Sequence, residues 1–107
     1  MIHHVYQRLR DGGFTHSQVH FSTVWLGRSS RYYSNLIATQ REPAIGTMLE
    51  LNTRVLRVAL HMERGQNAHE LLELVGQLDE EMFRRISYRV TLTRLKVETE
   101  KVGPTSL

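Results

Sequence analysis

Between Val19 and Leu36 two apolar patterns of helical period are separated by only Leu26-Gly27-Arg28-Ser29. So short a link, with a glycine in it, turns the chain sharply and leaves the two helices packed as neighbours. Val19, Phe21, Val24, Trp25 and Leu26 supply the apolar faces of the first helix, which Thr15 or Ser17 can cap and Gly27 ends. Ser29 or Ser30 is placed to cap the next helix, with Tyr33, Leu36 and Ile37 as its inner stripe. Ser30, Arg31 and Asn35 fall off that stripe, and Arg31 and Asn35 lie one turn apart on a common exposed side. The core thus wants apolar groups behind this second helix, while its start is loaded with donors and acceptors in front.

The rest of the chain continues the helical period. Ile2, Val5, Tyr6 and Leu9 predict a first helix of about two turns, stopped by Gly12-Gly13. Arg41-Glu42-Pro43 breaks the pattern again, and a proline suits the first turn of a new helix. That fourth helix is predicted from about Ala44 to Met62, apolar on more than one side through Ile45, Met48, Leu49, Leu51, Val55, Leu56, Val58 and Ala59. Arg64-Gly65-Gln66-Asn67 ends it, and Asn67 with Glu70 has capping-box spacing for a fifth helix from near Ala68. In that helix Leu71, Leu72, Val75, Leu78, Met82, Phe83 and Ile86 recur every three to four residues, and Glu80–Arg84 and Glu81–Arg85 form favourable i, i+4 pairs. Past Ile86 the pattern is mixed. Ile86, Tyr88, Val90 and Leu92 alternate as a strand would, whereas Ile86, Val90 and Val97 fit a helix. Over residues 87–97 continued helix is the expectation, and a strand would imply pairing with a second subunit. The end, Gly103-Pro104-Thr105-Ser106-Leu107, is expected to be loose. The fold class is therefore all-α: a bundle of about five helices with a helix-turn-helix, residues 1–64, and a C-terminal amphipathic extension, residues 65–107, that is helical with a β alternative.

Composition sets bounds on function. The 107 residues suit one domain with an ordinary globular apolar content of 40%. There is no cysteine, which removes disulfides and thiolate metal sites and points to a reducing compartment. No apolar run approaches the roughly 18 residues needed to span a bilayer, and Met1-Ile2-His3-His4-Val5 lacks a signal-peptide layout. A cytoplasmic protein without membrane association is expected. Residues 1–43 carry five arginines against Asp11 and Glu42, while residues 44–107 balance nine bases with nine acids. The net charge of +3 is thus confined to the part that holds the turn, which suits a polyanion partner.

The stretch from Ser17-Gln18 through Phe21-Ser22, Leu26-Gly27 and Ser29-Ser30-Arg31-Tyr32-Tyr33-Ser34, continuing to Pro43, resembles the DNA-binding domain of the lambda-repressor-like family (the Xre/Cro/CI group). The resemblance covers roughly residues 2–62. It implies a compact bundle of four or five helices and a transcriptional regulator, usually a repressor, that binds a palindromic operator on double-stranded DNA as a homodimer. Carried over by position, it places base reading on Ser30, Arg31 and Asn35 and phosphate contacts on Gln18 and Ser29. Arg28 and Arg41 flank the reading helix and can add charge contacts; Tyr32, partly exposed, can touch the backbone, and Tyr33 belongs to the core. The chain departs from the family in two places. Ile37 and Thr39 stand where a glutamate and then a glycine are common, and three residues rather than two separate Ser22 from Leu26.

Other chemistry finds less support. His16 and His20 have ligand-capable spacing, but no acidic residue lies near them, and a solvated or backbone-contacting pair is expected. No nucleophile elbow, phosphate-cradling glycine loop or paired-carboxylate arrangement occurs, so neither an enzyme nor a cofactor is expected. Trp25 reads as core. The charge-balanced C-terminal part suits dimerisation, with packing back onto the same domain as the alternative. A helical protein-interaction adaptor without DNA binding is the competing function.

Overall fold

The computed structural model describes the backbone of residues 1–63 and 65–101 and the side chains of residues 1–63 and 65–87. The C-terminal residues 103–107, expected to be loose, lie outside the described residues. Five helices succeed one another, with no strand among the described residues. They are α1 (Ile2–Asp11), α2 (Gln18–His20 running directly into a π turn over Phe21–Trp25), α3 (Tyr32–Thr39), α4 (Ile45–His61) and α5 (Gln66–Lys101). Residues 87–97, ambiguous in sequence, are helical in α5. No helix is long and apolar enough to cross a membrane, among the described residues.

Each helix contributes one stripe to a shared core. Ile2, Val5, Tyr6 and Leu9 come from α1, Phe21 and Trp25 from α2, Tyr33 from α3, and Met48, Leu51, Val55 and Ala59 from α4. Leu71, Leu74, Leu78 and Met82 of α5 join the same cluster, so the first half of α5 packs into the shared core along α4, and His4 and Arg8 of α1 reach its Gln77 and Glu73. Burial of each fully enclosed leucine or isoleucine is worth about 1.5–3 kcal/mol. The stripes are narrower than the sequence patterns. Val19, Val24, Ile37, Leu72, Phe83 and Ile86 are exposed, and Leu74, outside the sequence pattern, is buried.

The helix ends are tied by side chains from elsewhere in the chain. Ser17 caps α2, its Oγ accepting the His20 N–H at 3.0 Å. Glu42, from the α3–α4 connection, accepts the Ile2 N–H at the start of α1 at 3.2 Å and pairs with the Met1 amino group at 2.6 Å. Gln40 closes α3 in the left-handed region at φ 52°, with its N–H on the Ile37 carbonyl and the Arg41 N–H on that of Leu36. α5 starts at Gln66 rather than Ala68, and the His69 N–H bonds the Gly65 carbonyl at 3.0 Å. Asn67 therefore sits inside the first turn, and the expected capping box does not form. Arg84 and Arg85 both turn to Glu81, at 2.5 and 3.1 Å, so the expected Glu80–Arg84 pair gives way to a three-residue cluster. Burial pushes the Glu81 carboxyl up, but hydrogen bonds and charge from the two arginines outweigh it and hold it below the usual carboxylate range. Arg85 also donates to the Pro43 carbonyl at 2.8 Å, fixing α5 against the entry to α4.

Candidate nucleic-acid interface

The turn after α2 is built from one extra residue and one glycine. The Leu26 N–H reaches back five residues to the Phe21 carbonyl at 3.0 Å, which is the π turn. Such a turn holds one residue more than a turn of α-helix. Gly27 then adopts φ +64°, a conformation that an L side chain resists. A Cβ at Gly27 would also lie 2.7 Å from the Arg54 guanidinium, which comes up from α4 and donates to the Trp25 carbonyl at 3.0 Å. The Trp25 indole N–H donates to the Phe14 carbonyl at 3.2 Å, and its ring is buried.

Ser22 organises the approach to α3. Its carbonyl accepts the Arg28 N–H at 2.9 Å and its buried hydroxyl accepts the Tyr33 N–H at 3.0 Å. One serine of α2 thereby closes the turn and satisfies a first-turn donor of α3. This changes where the third helix begins. Ser29 and Ser30 lie in a turn in which the Tyr32 N–H bonds the Ser29 carbonyl at 3.0 Å, Arg31 is the N-cap residue, and the helix starts at Tyr32. Neither Ser29 nor Ser30 is the cap: the helix starts at Tyr32 rather than near Ser29, which leaves Ser29 two residues outside the N-cap, and the Tyr33 N–H that Ser30 would have served is already taken by Ser22.

The outer side of this element carries the residues singled out in the sequence. Ser29, Ser30, Arg31 and Asn35 are exposed, Tyr32 is half-buried, and Tyr33 and Leu36 are buried behind them. The Asn35 N–H bonds the Arg31 carbonyl at 2.9 Å, which places the two residues one turn apart. Arg28 is brought to Tyr32, its guanidinium carbon 5.9 Å from the ring centroid, while Nε and an Nη donate to the Thr47 hydroxyl at 3.2 and 2.8 Å. Its remaining N–H groups are left for another acceptor. Gln18, at the first residue of α2, and Arg41, beyond the far end of α3, are exposed as well. Thr47, Arg54 and Ser22 carry the geometry; in the sequence Ser22 stands only as part of the Phe21-Ser22 motif, and Thr47 and Arg54 are not marked at all. The one signal was a serine on the core-facing register between Phe21 and Trp25.

The charge balance depends on where the acids point. Asp11 accepts from the Gln7 amide at 2.9 Å, and Glu42 is occupied at the start of α1. Among the described residues, Arg28, Arg31 and Arg41 form no ion pair. Behind the exposed side, Tyr33 stacks edge-on against Phe21 at 5.0 Å between ring centroids and meets His3 Nδ1 through its hydroxyl at 2.9 Å. Burial, with Tyr6 and Glu42 adding to it, pushes the Tyr33 phenol up to about 12. The phenol therefore keeps its proton at neutral pH while it shares a hydrogen bond with His3 Nδ1. His16 and His20 stack at 4.4 Å, with His20 Nδ1 at 2.8 Å from the Thr15 hydroxyl. No group of three or more potential metal ligands occurs among the described residues.

A family model described as a family of unknown function (DUF6626) matches residues 2–95. No curated protein and no solved structure matches the chain.

Proposed function

We propose that this chain, which belongs to the DUF6626 family, is a sequence-specific DNA-binding regulator, a cytoplasmic repressor that reads the major groove with α3 and the turn before it. The carrying observation is that Arg31 and Asn35 are exposed one turn apart while Tyr33 and Leu36 are buried directly behind them. A short helix held from behind in this way can enter a groove and offer its first residues to base edges. Arg31 would donate to guanine O6 and N7, and Asn35 would pair with adenine or a phosphate, with Ser30 beside them. Gln18, Arg28, Ser29, Tyr32 and Arg41 would hold the phosphates. Arg28, Arg31 and Arg41, without acidic partners among the described residues, support this reading, because phosphate neutralisation supplies much of the affinity of such complexes. Two copies would read half-sites about 34–36 Å apart, or a multiple of that, in a palindromic operator.

Selection of binding sites from random DNA tests the proposal directly. An enriched palindrome that disappears with Arg31→Ala and Asn35→Ala supports it. No enrichment, or a retention on DNA that does not respond to salt, refutes it. A helical adaptor without DNA binding is the second reading, favoured by the exposed apolar side chains on α4 and α5; it predicts no DNA retention even at low salt.

A further inference from the structure

We infer that the outer side of the α4–α5 hairpin is a self-association surface, and that its occupant is a second copy of this chain packed helix α4 against helix α5. The inference names the partner that the two-half-site reading needs and rests on that reading for its operator geometry alone; the surface is argued from the free protein.

Two apolar stripes carry it. On α4, Leu49, Leu56 and Leu60 are exposed at 56%, 36% and 70%; on α5, Leu72, Phe83 and Ile86 are exposed at 47%, 73% and 47%. Spacings of seven and four on α4, and of eleven and three on α5, keep each set on one side of its helix. The two sets share a seam. The Asn52 amide of α4 donates to the Asp79 carboxylate of α5 at 2.5 Å. Asn52 lies three residues after Leu49 and four before Leu56, while Asp79 precedes Phe83 by four. Both stripes therefore border the same cross-link, one on either side of it.

The size of the surface fits a dimer. These six residues together expose on the order of 650 Å² per chain. That is near the ~800 Å² each partner buries in a stable interface.

Charge chooses the partner. The charged groups of α4 are Arg54 and Arg57 against Glu50, with Arg54 paired to Glu50 at 3.6 Å, so its free charge is positive. Over Gln66–Ser87, α5 carries Glu73 paired to Arg8 and Glu81 paired to Arg84 and Arg85, which leaves Glu70, Asp79 and Glu80 as an acidic excess over the pairs. A two-fold interface sets a patch against itself, and one that lays α4 on the other copy's α5 brings opposite signs together.

Gly76 adds an independent observation. It lies in the interior of α5, one turn beyond Leu72, where glycine is unfavourable, and a Cβ there would meet nothing within 4 Å. Nothing among the described residues of its own chain requires a glycine at that place. A neighbouring helix crossing the surface would, because the missing side chain allows close approach.

Sedimentation of the full chain without DNA tests the inference. The wild type is expected to sediment at twice the chain mass at micromolar concentration. Leu60→Glu with Phe83→Glu, both at exposed positions, is expected to raise the dimer dissociation constant at least 100-fold with unchanged helical circular dichroism. Val24→Glu, exposed on α2, should leave it unchanged. Should the double variant misfold, the cysteine-free chain offers a milder route. Leu56→Cys and Phe83→Cys variants, mixed and oxidised, should form a disulfide-linked dimer that Val24→Cys does not. A wild type that stays monomeric at ~100 µM, or a dimer indifferent to the double variant, overturns the inference and gives the surface to a different protein or to none. A monomer that still binds its DNA overturns this inference alone; a dimer that binds no DNA overturns the proposed function alone.

Discussion

The hydroxyl of Ser22 on α2 accepts the backbone N–H of Tyr33 on α3 at 3.0 Å, with Ser22 wholly buried. Most first-turn donors are capped by a residue just before their own helix; this one is capped across the turn, from the preceding helix. Ser22→Ala leaves that N–H without a partner in a dry site. The expected cost is about 1–2 kcal/mol of unfolding free energy, read as a lower midpoint in urea. Amide exchange at Tyr33 should accelerate at the same time, and Ser22→Thr should recover part of the loss.

Gly27→Ala meets two penalties, the left-handed backbone at φ +64° and a Cβ 2.7 Å from the Arg54 guanidinium. Together they should cost about 1–3 kcal/mol. Arg54 is a flexible side chain and can move, but only by releasing the Trp25 carbonyl. Gly27→Ala combined with Arg54→Ala should therefore cost less than the sum of the two single changes, measured as a double-mutant cycle in chemical denaturation.

Gln40 makes the opposite case. It holds φ 52° with a full side chain at the end of α3. Gln40→Gly removes the steric penalty of that conformation and should raise stability by about 0.5–1 kcal/mol, seen as a higher thermal midpoint.

The Tyr33 phenol is held at about 12, above its ordinary value of 10, by burial first and by Tyr6 and Glu42 after it. The unfolded chain thus gives up this proton at a lower pH than the folded one. The contribution is complete below about 10 and is lost as pH rises from there through about 12. Spectrophotometric titration should show one tyrosine ionising only in that upper range, together with loss of helical signal. Tyr33→Phe should abolish this late step and, by removing the bond to His3, cost about 1 kcal/mol at neutral pH.

Arg31→Ala and Arg41→Ala should separate two kinds of contact. If Arg31 reads a guanine, its loss costs about 1–3 kcal/mol on the preferred site and flattens the preference at one base position. Arg41→Ala should weaken preferred and random DNA alike and reduce the slope of log K against log salt by about 0.9. Equilibrium binding on two DNA sequences at several salt concentrations checks both outcomes.

Much of the architecture could be read from periodicity and breakers. The five helices, the break at Pro43, the end at Gly27, and the burial of Trp25 and Tyr33 all come from local pattern. Local pattern failed where a distant group intervened. Ser29 and Ser30 resemble caps, yet α3 starts later, at Tyr32, and the Tyr33 N–H within reach of Ser30 is taken by Ser22. Glu80 has ideal spacing to Arg84, but Arg84 joins Arg85 on Glu81 instead. A repeat of three and four residues shows that α5 has an apolar side, not how wide the buried part is; Leu74 went in while Leu72 and Phe83 stayed out. The exposed side of α3 was legible because Arg31 and Asn35 needed only helical geometry. Its fastening by Thr47 and Arg54 was not, since both come from a helix that lies later in the chain.

That fastening makes α4 a gauge. Its inner edge grips the turn twice, through Thr47 on Arg28 and Arg54 on the Trp25 carbonyl, and its outer edge carries Leu49, Leu56 and Leu60. Anything that seats on those leucines is coupled to the turn by a single rigid rod, with no hinge in between. In an assembled pair, the distance separating the two α3 helices would then be dictated by the length and stiffness of that rod. Lengthening it by one residue between Arg54 and Leu60 would rotate Leu60 relative to both grips by about 100°, and would alter which operator spacing the pair can span.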